Sequence, residues 1–473
     1  MRLTSSKRFL KRAVLPLTLS LTMLLGGSSV SAELPRLWLS FFSLVLLIIL
    51  IPHAAHKPLN RRAKFALLLL SLWLIWCSLQ LVPVPHWLWS KLGDRAIVES
   101  GLELLGLSAE QPLPISLSPR ESRLSLAASL PPIAVFLMII ATGDRRIFSQ
   151  LNWIIPILGA ISAIFGIAQV SVVQEPDLYL YEVTSIGSAV GFFANANHQA
   201  CFLIMCLPFM AANIRNGSKE QGSGDAYNAK LIACISLFLL ILIGILTTGS
   251  GAGYLLLIPT LLLSLLIGAK SLSSKKMKIG LPLILLATIV FSALIISSNP
   301  TLTGPGVADV DASRVSRVEM WKLSLEAAAD HWLVGTGLGS FHEVYSLYEE
   351  PYSVTRAYAN QAHNDYLQIV IELGLPGIML SICGIVFFCR LFLQVWFRQD
   401  EKLGHQRRAA ASALLVVLLH SVVDYSLRTP AVCSLAAACF ALLLVSPRHV
   451  QRRGGRSRVD RKSSDQKQRH RVI

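Results

Sequence analysis

DVDASRVSRVEMWKLSLEAAADHWLVGTGLGSF (309–341) and NQAHNDYLQIVIELGLPG (360–377) bound the longest polar stretch of a chain that otherwise consists mostly of membrane-length apolar runs. Polar residues are costly to hold beside a bilayer, so this block is the first place to look for function. It carries Arg314, Arg317, Arg356, His331, His342 and His363. Ser313 is placed to cap a helix whose apolar positions Val318, Trp321, Leu325 and Ala328 recur at helical spacing. Arg314 and Arg317, three apart, share a face of that helix. Gly335, Gly337 and Gly339 then break it; no buried strand precedes them, so they form a turn and not a dinucleotide loop. His363-Asn364-Asp365 precedes the run YLQIVIELG, with Asn364 or Asp365 as the expected N-cap. His363 therefore stands at a helix N-terminus, where the dipole disfavours imidazolium and attracts anions. That setting suits a neutral general base beside a phosphate.

The chain has 473 residues, 53% hydrophobic and 15% charged. Such a composition, with repeated apolar runs near 20 residues, predicts an all-α, polytopic helical membrane protein. The eight cysteines all lie inside apolar runs, so neither a disulfide framework nor a metal cluster is expected. Twelve spans are predicted, at 13–31, 37–52, 64–82, 126–142, 151–173, 198–213, 231–247, 252–269, 279–297, 374–397, 409–424 and 431–446. This divides the chain into an N-terminal bundle of nine spans (1–297, with outer segments at 83–125 and 174–197), a large polar loop (298–373), C-terminal spans (374–446) and a basic tail (447–473). The small residues 28–32 resemble a signal-peptide cleavage site, but a second apolar run follows at once, and an uncleaved first span is the preferred reading.

Basic residues are distributed unevenly across these spans. Of 43 Lys and Arg, 32 fall in segments on one side, ten on the other, and Arg390 lies within a span. By the positive-inside rule the first side is cytoplasmic and the block 309–365 faces outward, to the periplasm of a bacterium. The net charge of +16 is thus a matter of topology, not of nucleic-acid binding. Trp87 and Trp89 fit an interfacial belt.

Arg317-x3-Trp321, Gly335-x-Gly337-x-Gly339-Ser340-Phe341, His363-Asn364-Asp365-Tyr366-Leu367 and Glu372-Leu373-Gly374-x2-Gly377 together resemble the bacterial O-antigen ligase and polymerase family. Three further elements extend the resemblance over most of the chain. Gly191-x-Phe193-x-Asn195-x-Asn197-His198 is similar to a family pattern, with Ala196 where a basic residue or proline is common. Ser250-Gly251 stands at a turn where the family often has an arginine that this chain lacks. His420-Ser421-x2-Asp424 is similar to a family element; with Arg428 it has a four-residue spacing that could line one helix face.

The resemblance implies a GT-C-like fold with a mainly helical periplasmic cap. It also implies glycosyl transfer from an undecaprenyl-diphosphate-linked glycan to a hydroxyl of a lipid A core or another glycan acceptor, in the bacterial inner membrane and without a metal or other cofactor. His363 is then the expected base. Arg317, Arg314 and Arg356 are expected at the diphosphate, since Arg binds phosphate oxygens bidentately and stays charged. Asn195, Asn197, His198, Asn364 and Asp365 are expected to contact substrate, with His420, Asp424 and Arg428 as secondary candidates. Asp309-x-Asp311 has the two-carboxylate spacing of a divalent-metal site but nothing nearby supports it. A polymerase of lipid-linked repeat units fits the same resemblance. A lipid-linked glycan flippase would favour mid-membrane charges and internal repeats, and neither is seen.

Overall fold

The computed structural model describes residues 2–29, 34–55, 58–107, 111–142, 145–172, 176–182, 184–217, 224–267, 307–349, 359–397 and 403–445, with scattered positions between 280 and 290; of residues 2–12 and 307–318 the backbone alone is described. The regular elements of the described residues are helices apart from one short ladder. The helices are α1 (Arg2–Leu25), α2 (Leu34–Ala55), α3 (Arg61–Leu79), α4 (His86–Trp89), α5 (Ala96–Leu104), α6 (Pro119–Ala128), α7 (Leu130–Thr142), α8 (Arg145–Ser171), α9 (Ala196–Gly217), α10 (Gly224–Thr247), α11 (Gly251–Leu266), α12 (Val307–His331), α13 (Phe341–Tyr345), α14 (Asp365–Phe397), α15 (Gly404–His420) and α16 (Pro430–Leu444). The ladder pairs β1 (Pro83–Val84) antiparallel with β2 (Leu113–Pro114).

Six described segments are long and apolar enough to cross a membrane: Leu34–Pro52, Arg61–Leu79, Pro119–Thr142, Arg146–Ser171, Asn228–Thr247 and Asp365–Phe397. The protein is thus a multi-pass helical membrane protein. Among the described residues this measure gives six of the twelve expected spans. Ala13–Leu25, Gly251–Leu266 and Pro430–Leu444 are apolar but shorter. The expected span 279–297 lies almost wholly outside the described residues. Two more expected spans, α9 and α15, carry polar ends: Asn197, His198 and Gln199 on one, Arg407 and Arg408 on the other. Helices enclosed by other helices can hold such residues.

Helix α9 is the centre of the bundle. Every residue from His198 to Met210 is buried, as expected of a helix that is apolar on all sides. It packs against α8, α10, α11 and α15. Small residues set the spacing: a Cβ on Gly244 would meet Ala163 Cβ at 2.5 Å, and one on Gly253 would meet Ala200 Cβ at 2.8 Å. Asn152 Nδ2 donates to Asn213 Oδ1 at 2.6 Å, bonding α8 to α9. At the bundle's basic end, Arg408 Nη1 donates to Ile267 O at 3.0 Å and Arg407 reaches Val445 O, so these arginines satisfy carbonyls just past the ends of α11 and α16.

At the other end, α12 lies on α14 and buries Met320, Leu323, Ala327 and Ala328 against Phe341, Val344, Ala362 and Ile371. Two expectations are corrected here. Helix α12 begins at Val307, so Ser313 lies within it and does not cap it. Leu325 points away, 59% exposed, because the buried stripe runs through 320, 323–324 and 327–328. Trp89 is also corrected: it is buried, donating Nε1 to Pro114 O at 2.9 Å beneath the Arg95 guanidinium, while Trp87 is exposed.

Helix α14 kinks at Gly374 (φ 58°, ψ −153°), where the expected span 374–397 begins; a side chain would be strained in that conformation. The kink frees carbonyls of the preceding turn, and each finds a new donor. Thr336 N donates to Ile371 O at 2.9 Å, Gly337 N to Glu372 O at 2.9 Å and Trp76 Nε1 to Leu373 O at 2.9 Å. The Gly335–Gly339 turn is thus the dock of the α14 kink. A Cβ on Gly335 would stand 2.3 Å from Glu372 O.

Candidate functional site

The site grows from the loop 359–364 and the start of α14. Asn364 is the N-cap: its Oδ1 accepts from Leu367 N at 3.0 Å. Trp321 Nε1 donates to Ala362 O at 2.9 Å, which ties α12 to the loop. His363 then adopts φ 49°, and among the described residues it is the non-glycine with positive φ. A side chain in that region costs about 1–2 kcal/mol, and such strain gathers at functional positions.

The strain aims the imidazole at the turn after α15. His363 Nδ1 stands 3.2 Å from Asp424 Oδ1. Asp424 is fully buried, and Oδ1 also accepts from Tyr425 N at 2.8 Å. Burial alone pushes this carboxyl up. His363 at 3.2 Å, with His198 and His420 nearby, outweighs that and holds it well below the usual carboxylate range. With Nδ1 turned to a carboxylate, Nε2 is the ring nitrogen left to take a proton. His363 is 23% exposed and so reachable.

A second network lies beside the first. Arg428 donates Nε to Asp365 Oδ1 at 3.2 Å and Nη1 to Glu372 Oε2 at 2.6 Å. Burial pulls the guanidinium down, but the two carboxylates raise it above its ordinary value. Ser421 Oγ donates to Asp365 Oδ2 at 2.7 Å, and Gln368 Nε2 donates to Glu372 Oε1 at 2.7 Å. Asp365 and Arg428 also line a cavity of about 210 Å³ with Arg36, Ser29, Ser125, Ser129 and Gln361 on its polar side and Trp73, Leu338, Ile369 and Leu427 on its apolar side. An amphiphilic cavity of this kind can take a polar head and the start of a hydrocarbon chain.

His363, His198, Asp424 and His420 come together, but His420, Asp424 and Arg428 do not line one helix face. Helix α15 stops at His420. Asp424 lies in a turn, Arg428 in a 3₁₀ segment (Ser426–Arg428), and they reach different partners. His420 Nδ1 lies 3.1 Å from Ser426 Oγ. The residue before a proline avoids the helical region, and Thr429 before Pro430 is extended (φ −86°, ψ 130°), so the chain must turn before α16.

Asn195, and not Asn197, accepts at the start of α9, from Asn197 N at 2.8 Å; Asn195 Nδ2 also lies 3.5 Å from Tyr425 Oη. Asn197 accepts from Ser250 Oγ at 2.6 Å, which joins the 250–251 turn to the site's edge. The side chains of Arg314 and Arg317 and the whole of Arg356 lie outside the described residues, as do the Asp309 and Asp311 side chains. Arg317 precedes Trp321 by one turn of the α12 backbone. Among the described residues no cluster of three or more His, Cys, Asp or Glu could hold a metal ion.

Sequence reasoning missed Glu372, Gln368, Tyr425 and Arg36 as site residues. Glu372 was within reach of it, since Asp365, Gln368 and Glu372 share the i, i+3, i+7 face of one helix.

The fold defines a multi-pass helical membrane protein with a polar site at one end of its bundle. Residues 236–382, from within α10 through α11, α12 and α13 to the first half of α14, match the O-Antigen ligase family model. Among curated proteins none matches the chain.

Proposed function

We propose that the protein transfers a glycan from an undecaprenyl-diphosphate donor to an acceptor hydroxyl at the periplasmic face of the bacterial inner membrane. The acceptor in this reading is a lipid A core, as in an O-antigen ligase. The observation that carries it is His363 held in a strained conformation 3.2 Å from a buried carboxylate, within a segment adjoining an amphiphilic cavity. His363 Nε2 takes the proton of the acceptor hydroxyl while Nδ1–H stays on Asp424. The acceptor oxygen bonds to the anomeric carbon, and the bond from that carbon to the diphosphate oxygen breaks with its electron pair. A single displacement inverts the anomeric configuration. No proton is needed by the diphosphate, but its charge must be met, and Arg317 with Arg314 and Arg356 is assigned that role. Arg428 is not, because Asp365 and Glu372 already neutralise it.

The test uses purified protein in detergent or nanodiscs with a lipid-linked glycan and two acceptors, lipid A core and free repeat-unit lipid. Product on the core supports the ligase reading, and elongation of the repeat unit makes the protein a polymerase. His363→Gln keeps hydrogen bonding but cannot take the proton; it should lose about 10²–10⁴-fold in turnover with donor binding near normal. A Gln variant with most of its activity would remove His363 as base.

A further inference from the structure

His198 is the third residue of α9 and is 1% exposed. Neither of its ring nitrogens has a hydrogen-bond partner among the described residues. A buried polar group without a partner is costly, and a phenylalanine would fill the space without that cost. Packing alone does not account for an imidazole here.

Its surroundings supply a reason. His198 Nε2 stands 4.0 Å from Asp424 Oδ1, the same oxygen that His363 Nδ1 approaches at 3.2 Å. Both rings also meet the Tyr425 ring edge to face, at centroid distances of 4.8 and 4.6 Å. Two imidazoles thus flank one aromatic ring and converge on one carboxylate oxygen. The other titratable groups around Asp424 are accounted for. His420, at the end of α15, lies against Ser426. Arg428, in the 3₁₀ segment, is held by Asp365 and Glu372 of α14. Cys201 of α9 is fully buried.

We infer that His198 is a positioning residue that shares Asp424 with His363 and so sets the pH below which His363 stops acting as a base. A short approach brings the His198 N–H within hydrogen-bond reach of Asp424 Oδ1. Each donor on that oxygen draws off negative charge that would otherwise hold a proton on His363. His198 therefore lets His363 shed its proton at lower pH. The inference rests on the proposed base, and two readouts keep the failures of the two readings apart.

The first readout is the pH–rate profile. His198→Phe removes this N–H from beside Asp424, so the acid limb should move up by about half to one pH unit, with plateau turnover at high pH within a few-fold of wild type. His198→Gln keeps an N–H and should leave the limb within about 0.2 unit of wild type. The second readout needs no turnover: the pH dependence of His363 carbethoxylation by diethyl pyrocarbonate, followed by mass spectrometry, since the reagent attacks the neutral ring. It should move in the same direction in His198→Phe, or in His198→Leu if the Phe variant does not accumulate. An unmoved carbethoxylation midpoint, or a loss of turnover equal at every pH, overturns the inference and leaves His198 as packing. An active His363→Gln variant overturns the base itself and is read independently.

Discussion

Asp424→Asn tests the geometry most directly. The amide is isosteric, and its oxygen can still accept from Tyr425 N, as Asp424 Oδ1 does at 2.8 Å. What is lost is the charge. An imidazolium at His363 and the Asp424 carboxylate, 3.2 Å apart, attract by about 5 kcal/mol at an effective dielectric of about 20. His363 is 23% exposed, so water screens part of this. If roughly half survives, about 2.7 kcal/mol of transition-state stabilisation disappears, which is about 10² in rate. The assay is transfer of a lipid-linked glycan from pH 5.5 to 9.5. The deficit should persist across the range, because raising the pH cannot restore a charge that is absent. A variant within threefold of wild type at any pH in that window would show that Asp424 only shapes the turn.

Arg317→Ala should abolish product while the protein still accumulates, and Arg317→Lys should restore little, since a point charge does not reproduce a planar fork; a Lys variant at the wild-type rate removes bidentate diphosphate recognition. A cysteine at the exposed Ser346 should react with an impermeant thiol reagent in spheroplasts, once the exposed Cys383 and Cys389 are shown silent; protection there with labelling at Ser273 reverses the orientation. Burial, with the Arg95 guanidinium adding to it, lowers His331 to about 4, below the about 6.5 of an unfolded chain. The stability this neutral His allows is complete above pH 6.5 and is lost as pH falls towards 4, so melting temperature should drop over that window less steeply in His331→Asn than in wild type. Arg428→Met leaves Asp365 and Glu372 buried without their cation and should destabilise by about 3–5 kcal/mol; adding Glu372→Gln should recover part of that, and strict additivity in detergent melts would mean the pair is uncoupled.

The apolar runs made the bundle legible, because a helix in lipid must satisfy its own backbone and announces itself by length. The α14 boundary at Gly374 and the Asn364 cap were legible for a similar reason, since both are local. Four kinds of feature were not. A cap cannot be read where a helix starts upstream of the polar signal, as α12 does at Val307. The spacing of His420, Asp424 and Arg428 implied one helical face, but Pro430 forces the chain to turn, and the three side chains go to separate partners. Trp89 looked interfacial because aromatic residues usually are at such a boundary; only the β1–β2 ladder, which brings Pro114 across, shows why it is buried. The pairing of Arg428 with Asp365 and Glu372 spans 63 and 56 residues, and single-sequence periodicity carries no information at that range.

The two networks meet in the turn that follows α15. Ser421 O accepts from Asp365 N at 2.9 Å and Ser421 Oγ donates to Asp365 Oδ2, so this turn fixes the first residue of α14 from two directions. Three residues on, Asp424 meets His363, which lies two residues before Asp365. Trp321 holds the loop from its other side at Ala362. A base is useful only if it is held within hydrogen-bond reach of a hydroxyl that is itself held, and displacements near 1 Å can cost about 10²-fold. Anchoring Asp365 to Arg428, Glu372 and Ser421 therefore positions the loop that carries His363. The matched segment 236–382 contains His363, but Asp424 and Arg428 lie beyond it. The proposed base and its carboxylate thus come from opposite sides of that boundary, and the matched segment is incomplete as the proposed site until α15 and the turn after it fold against the start of α14.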